Sequence, residues 1–168
     1  MIVVRRASRE DAESILACLR EAFEPFRSQY TDGAFADTVL TAETIGQRFE
    51  LMSVFVAIDE KEGLVGTVSC SASATGEGHL RGMAVAPGWQ GRGVADALLV
   101  AAEKELCRHG CGWITLDTTE PLQRAARFYR RHGYRPTGRV TDFYGMPLHE
   151  YSKRITPSLT SDDTATPA

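Results

Sequence analysis

The chain is poor in the features that mark several classes of protein. No apolar run approaches the length of a bilayer span, and none follows the amino-terminal Met1-Ile2-Val3-Val4-Arg5-Arg6. This argues against a signal peptide or membrane helix and points to a cytoplasmic location. Basic charge is not in excess: the net charge is −3 with 24% charged residues, so the field that nucleic acid or an anionic membrane requires is missing. Small molecules or peptides are the expected partners. Cysteine is sparse, and Cys18, Cys70, Cys107 and Cys111 lack the paired spacing of a metal site; they are expected to pack or remain as thiols, with no metal bound. No Gly-Lys-Ser/Thr ending marks a nucleoside-triphosphate loop, and no third glycine completes a dinucleotide fingerprint. Internal repeats and linkers are absent, and 168 residues suit one domain that buries roughly two thirds of its unfolded surface.

What is present centres on residues 79–109. His79-Leu80-Arg81-Gly82-Met83-Ala84-Val85 is a mostly apolar run halted by Ala86-Pro87-Gly88, the pattern of a buried strand. Beyond it, Ala95, Leu99, Ala102 and Leu106 recur at helical spacing while Asp96, Glu103, Lys104 and Arg108 fall elsewhere. Arg108, His109 and then Gly110 suit the carboxyl end of that helix. Between strand and helix stands Gln90-Gly91-Arg92-Gly93-Val94-Ala95. A helix amino terminus leaves N–H groups without partners, and the main chain of residues 91–96, unobstructed at Gly91 and Gly93, can converge on a pyrophosphate. Two glycines alone also fit a plain connecting loop.

The order Met83-Ala84-Val85-Ala86-Pro87 followed by Gln-x-x-Gly-x-Gly/Ala resembles the signature of the GNAT superfamily of N-acetyltransferases. A second stretch, Ala125-Ala126-Arg127-Phe128-Tyr129-Arg130-Arg131-His132-Gly133-Tyr134, is similar to that family's Ala-x-x-x-Tyr-x-x-x-Gly-Phe, with Tyr134 replacing the final Phe. The resemblance spans about residues 1–155. It implies a single α/β domain, with a mixed, mainly antiparallel sheet and helices on both faces, that takes acetyl-coenzyme A as acyl donor. By the same resemblance Gln90, Gly91, Arg92, Gly93, Val94, Ala95 and Asp96 grip the pyrophosphate. Met83, Ala84 and Val85 would meet the pantetheine arm in a V between two splayed strands. Leu122 stands where many relatives carry a coenzyme-contacting asparagine, a departure that removes one side-chain contact. Arg92, Arg127, Arg130 and Arg131 are candidate partners for the ribose phosphate, or else solvated surface.

Along the chain, Ile2-Val3-Val4 reads as a strand, and Ser8 with Asp11 forms a capping-box pattern before the stripe Ala12, Ile15, Leu16, Leu19, Phe23. From Phe26 to Leu40 the periodicity breaks, which predicts a loop and a candidate lid; Ile45, Phe49 and Met52 then mark a short helix. In the family this region forms the acceptor wall, so Phe26, Tyr30, Phe35 and Phe49 are candidate substrate contacts, with plain core as the alternative. Val54–Ile58 and Leu64–Cys70 predict a hairpin, and Trp113–Asp117 a strand joined to residues 79–85 by a right-handed crossover. Pro121 opens a last helix carrying Leu122, Ala125, Ala126 and Tyr129 on one face, closed by Gly133. Thr137–Phe143 and Leu148–Ile155 read as a hairpin about Tyr144-Gly145-Met146-Pro147, and residues 156–168 as a polar, disordered tail.

Acetyl transfer from a thioester to a primary amine of a small molecule or peptide needs a neutral amine, a held oxyanion and a proton for the departing thiolate. Tyr129 matches the family tyrosine beside the coenzyme sulfur and is the expected acid. For the base, Asp117, His79 and no dedicated group stand level, with Glu120 a third side chain in view. A main-chain N–H of Met83 or its neighbours would hold the oxyanion. A coenzyme-binding sensor without turnover and a transferase of a larger acyl group stay open as rival readings. A homodimer is allowed but not specified, and the acceptor is not named by these residues.

Overall fold

A computed structural model describes residues 1–157; from residue 158 onward the expected tail lies outside the described residues. Strands β1 (Ile2–Arg6), β2 (Ser53–Asp59), β3 (Gly63–Ala72), β4 (Glu77–Val85), β5 (Trp113–Thr119), β6 (Arg135–Phe143) and β7 (Met146–Arg154) form one sheet in the order β1-β2-β3-β4-β5-β7-β6. Helices α1 (Ala12–Phe23), α2 (Asp32–Thr38), α3 (Ile45–Leu51), α4 (Val94–Arg108) and α5 (Gln123–Arg131) flank it. The fold class expected from the sequence is the one observed.

The centre of the sheet is apolar on both faces because helices cover both. In β3 every residue from Val65 to Cys70 is buried, as a doubly covered strand requires. Leu98, Leu99, Ala102 and Leu106 of α4 pack with Val65, Val68, Leu80 and Ile114 on one face. On the other face, Ile15, Cys18 and Leu19 of α1 pack with Val54, Val56 and Ala84. Full burial of each such leucine stabilises by about 1.5–3 kcal/mol, and Leu98→Ala is expected to cost about 2–5 kcal/mol.

Both long helices flanking the site end in the same way. At α4 the N–H of Cys111 reaches Leu106 O at 3.1 Å and that of Gly110 reaches Cys107 O at 3.0 Å, with Gly110 at φ 78. At α5 the N–H of Tyr134 reaches Tyr129 O at 3.0 Å and that of Gly133 reaches Arg130 O at 3.2 Å, with Gly133 at φ 92. These are Schellman caps, in which a left-handed glycine turns the chain back so that the next residue packs on the last helical turn. At α5 that residue is Tyr134, fully buried, its ring edge-on to Tyr129 with centroids 5.6 Å apart. The Tyr-x-x-x-Gly-Tyr spacing is therefore a helix stop that fixes the tyrosine four residues before the glycine.

The structure departs from expectation in the region 24–40 and at the last hairpin. A 3₁₀ turn spans Glu24–Gln29 and α2 spans Asp32–Thr38, where a loop was expected. The reason is tertiary. Thr31 Oγ1 accepts from Ala34 N at 3.2 Å and donates to Tyr144 O at 2.7 Å, and Gly33 lies so close to Tyr144 that a Cβ there would stand 2.7 Å from its ring. The helix forms because it docks on the β6–β7 turn. That turn is only Tyr144-Gly145, at φ 50 and 87, with Phe143 paired to Met146. It is a two-residue hairpin with both residues left-handed, so Met146 and Pro147 belong to β7 rather than to the connection.

Candidate active site

The site lies where the sheet opens. Among the described residues only β4 and β5 run parallel, and they pair over three rungs, Glu77↔Trp113, Gly78↔Ile114 and His79↔Thr115. Beyond His79 the two strands part. β5 continues to pair with β7 as far as Thr119↔Leu148, so the edges facing each other across the gap are unpaired. A cleft of about 890 Å³ fills this V. In β4 itself, Thr67↔Ala84 and Ser69↔Arg81 enclose one extra residue, a bulge at Gly82, whose φ is +67. A glycine in left-handed geometry is the usual way to build such a bulge.

At the mouth of the V, Gly91 and Gly93 have φ 75 and 82, and Gly93 caps α4. A Cβ on Gly93 would meet nothing within 4 Å, and one on Gly91 only Arg124 Nη2 at 3.3 Å. The glycines serve backbone conformation, and the space beside Gly93 is open. Gln90 holds this loop in shape: its Nε2 donates to Val85 O at 3.2 Å and its Oε1 accepts from Arg124 Nη1 at 3.2 Å. Strand end, loop and α5 are thus joined by one side chain. Gln90, Gly91, Gly93, Val94, Ala95 and Asp96 line the cleft, as do Met83, Ala84, Val85 and Leu122. Arg92 does not; its guanidinium stacks 4.3 Å over Trp89, which leaves the loop only its main-chain N–H. Of the arginines offered for the ribose phosphate, Arg131 lines the cleft while Arg130 lies over Tyr151. Arg124 also faces the cleft and was not anticipated; its signal was a basic residue in the first turn of α5.

Inside the V stand Tyr129, His79 and Asp117. Tyr129 is buried and its hydroxyl is pushed well above the ordinary phenol range by desolvation alone, so it is protonated at neutral pH. His79 is oriented by its neighbours. Thr115 Oγ1 donates to Glu77 Oε1 at 2.7 Å, and it therefore accepts from His79 Nδ1 at 2.9 Å. In the neutral ring this network leaves the lone pair on Nε2, which lies 3.8 Å from Asp117 Oδ2. Burial holds the imidazole below its ordinary titration range, against the pull of Asp117 and Glu77. Burial likewise raises the Asp117 carboxyl, against His79. Glu120 lies elsewhere, 3.5 Å from His149 Nε2, and is not a wall of the cleft.

The wall opposite the glycine loop includes Phe23, Phe26 and Tyr30, the last fixed by a 2.7 Å hydrogen bond to Thr119 Oγ1. Phe35 does not reach the cleft; it packs edge-on against Tyr30 and beneath Arg27. Arg48, Arg81 and Asp37 complete this wall. Arg48 was not anticipated, although it sits on the Ile45, Phe49, Met52 stripe of α3, where a charge is out of place. Among the described residues no group of three His, Cys, Asp or Glu side chains has the disposition of a metal site, and no helix is long and apolar enough to cross a membrane.

Among the described residues the sheet is thus parted at its one parallel seam, with a two-glycine loop at the mouth of the gap and titratable groups within it. The profile of the acetyltransferase (GNAT) family matches residues 13–134, and the chain belongs to that family. Among solved structures it is similar to the PaiA N-acetyltransferase of Thermoplasma acidophilum in complex with coenzyme A, with a TM-score of 0.77, 18% identity, and 92% of this chain and 99% of that one covered. A GNAT-family acetyltransferase of Staphylococcus aureus Mu50 follows at a TM-score of 0.74 and 17% identity, covering 92% and 99%. The ribosomal-protein-S18-alanine N-acetyltransferase of Escherichia coli superposes at a TM-score of 0.68 and 14% identity, covering 96% and 98%.

Proposed function

We propose that this protein moves an acetyl group from acetyl-coenzyme A directly to a primary amine, using residues 1–155 as one catalytic unit. The observation that carries this reading is the convergence, in one parted seam, of an open glycine nest, an oriented imidazole and a buried phenol. The coenzyme supplies an acyl group activated as a thioester. The N–H groups of residues 91–96 hold its pyrophosphate, and the unpaired edge of β4 holds its amide arm.

His79 Nε2 takes the proton that the amine must lose as it bonds to the acyl carbon, and Asp117 beside it stabilises the resulting imidazolium. A main-chain N–H of β4, at Met83 or its neighbour, faces the developing oxyanion without any charged side chain being needed. Tyr129 gives its phenolic proton to the sulfur as the C–S bond breaks. Desolvation suits it to this role, because a phenol that resists ionisation is protonated whenever the thiolate leaves.

Thiol release, measured with acetyl-coenzyme A and a panel of amines alongside calorimetric titration of the coenzyme, tests the reading. Micromolar coenzyme binding with amine-dependent thiol release is the expected result. Tight binding with no turnover on any amine would instead make the protein a coenzyme sensor.

A further inference from the structure

The cleft wall holds a buried cation, Arg48, with no carboxylate within ion-pair distance among the described residues. Arg48 is 9% exposed yet makes only one hydrogen bond among the described residues, a long one of 3.5 Å from Nη1 to Ser69 Oγ. A guanidinium carries five donors, and those of Arg48 that Ser69 does not meet are still reached by solvent, where a carboxylate could take them. Its outlet is the cleft, which it lines. The nearby carboxylate is already engaged: Asp37 pairs with Arg81, and both also line the cleft. Asp37 thus serves Arg81, and among the described residues Arg48 has no carboxylate of its own within ion-pair distance. Burial and the repulsion of Arg81 lower the Arg48 pKa to about 10, so it is cationic at neutral pH.

The position is built rather than incidental. A Cβ on Gly82 would stand 2.5 Å from Arg48 Nη1, so the guanidinium occupies the space that the bulge glycine leaves free. Gly82 immediately precedes Met83, beside the main chain proposed to face the acyl group. Arg81 also acts on His79, whose titration it depresses, which brings the two guanidinium groups and the base into one neighbourhood. Phe23, Phe26, Leu51 and Met52 form the adjoining apolar surface.

We infer that the acceptor carries a carboxylate close to its amine, as a free amino acid does, and that Arg48 binds this carboxylate while the amine faces His79. This rests on the amine-acetylation reading above and names its substrate class. Arg81, tied to Asp37, adds long-range attraction at the entrance. The apolar wall favours an apolar side chain on the same acceptor.

The test uses the full chain and matched pairs of apolar amino acids and their amides, which share the amine and differ at the carboxyl. Amides have the less basic amine and so the larger neutral fraction, a bias against the proposal. Thiol release should still give a kcat/KM about 10- to 100-fold higher for the acid, the range of one charge-assisted hydrogen-bonding pair. In Arg48→Met the preference should fall to near parity, mostly through KM, with coenzyme affinity unchanged; Arg48→Lys should retain an intermediate preference. Equal use of acid and amide by the parent protein, or a preference that survives Arg48→Met, overturns the proposal. Should Arg48→Met fail to fold, the Arg48→Lys preference decides alone, and an undiminished one overturns the proposal. If no amine is acetylated, calorimetric titration of the same pairs into coenzyme-loaded protein separates the two readings. Acid-selective binding lost in the Arg48 variants supports the carboxylate site without transfer, whereas equal or absent binding removes the site itself.

Discussion

One wall of the cleft comes mainly from a single stretch, residues 82–96, whereas the facing wall draws Phe26, Asp37 and Arg48 from the first third of the chain, Arg81 from β4, and Phe143 and Leu148 from the last hairpin. The first wall is made by local rules: a strand ended by Pro87, two left-handed glycines, and a helix whose free N–H groups open toward the gap. The second exists only because distant segments dock. Such a division suits a transferase in which the donor side is generic and the acceptor side sets specificity. It also means that a substitution can disturb one wall and spare the other.

The sharpest separation is expected at Tyr129→Phe. Loss of the phenolic proton should lower kcat about 1000-fold, within the range for general acid catalysis, while the coenzyme Kd stays within about twofold. An equal loss of both would deny the tyrosine its role. Next in size is His79→Gln, expected to lower kcat/KM about 100-fold at neutral pH. The base works unprotonated and burial lowers its pKa, so, once the rise from ionisation of the acceptor amine is divided out, parent kcat/KM should hold a plateau and fall only as pH drops below the ordinary imidazole range. The variant should lose that acid limb, and an unchanged profile would transfer the role to Asp117.

Gly93→Ala addresses the donor wall alone. Nothing surrounds the added methyl, so the effect is the left-handed φ of 82, a strain of about 1–2 kcal/mol. It should weaken coenzyme binding about tenfold by calorimetry and leave the acceptor KM as it was. The smallest effect belongs to the opposite wall: Thr31→Val removes both the α2 cap and the tie to Tyr144 O, about 1 kcal/mol. A few-fold rise in acceptor KM with unaltered coenzyme Kd is the expected reading, and the reverse pattern would collapse the distinction between the walls.

Legibility followed the same line. The capped helices α1 and α4, the central strands and the two signatures could be read from periodicity and turn residues, because each is specified within about a dozen neighbouring positions. The helix α2 could not, since its seven residues include Gly33 and it is held by Tyr144, over a hundred positions away. Arg92 was placed with the loop by its position, yet its side chain found Trp89. Phe35, one of four aromatic candidates, packs on Tyr30 instead of lining the cleft. Glu77 and Thr115 gave no signal as chemistry, because their link to His79 arises from the register of two strands separated by α4.

By itself the sequence determined the central strands, the helices α1 and α4 and the glycine turn between strand and helix, as well as the stop that carries Tyr129, since hydrophobic period, proline, glycine and cap residues act over short range. Only the tertiary structure decided which imidazole nitrogen is tied to Thr115, how Arg48 came to be buried without a carboxylate beside it, and what forms the wall facing the glycine loop. Those outcomes depend on burial and on contacts between remote segments, and these are properties of the packed chain rather than of any stretch of it.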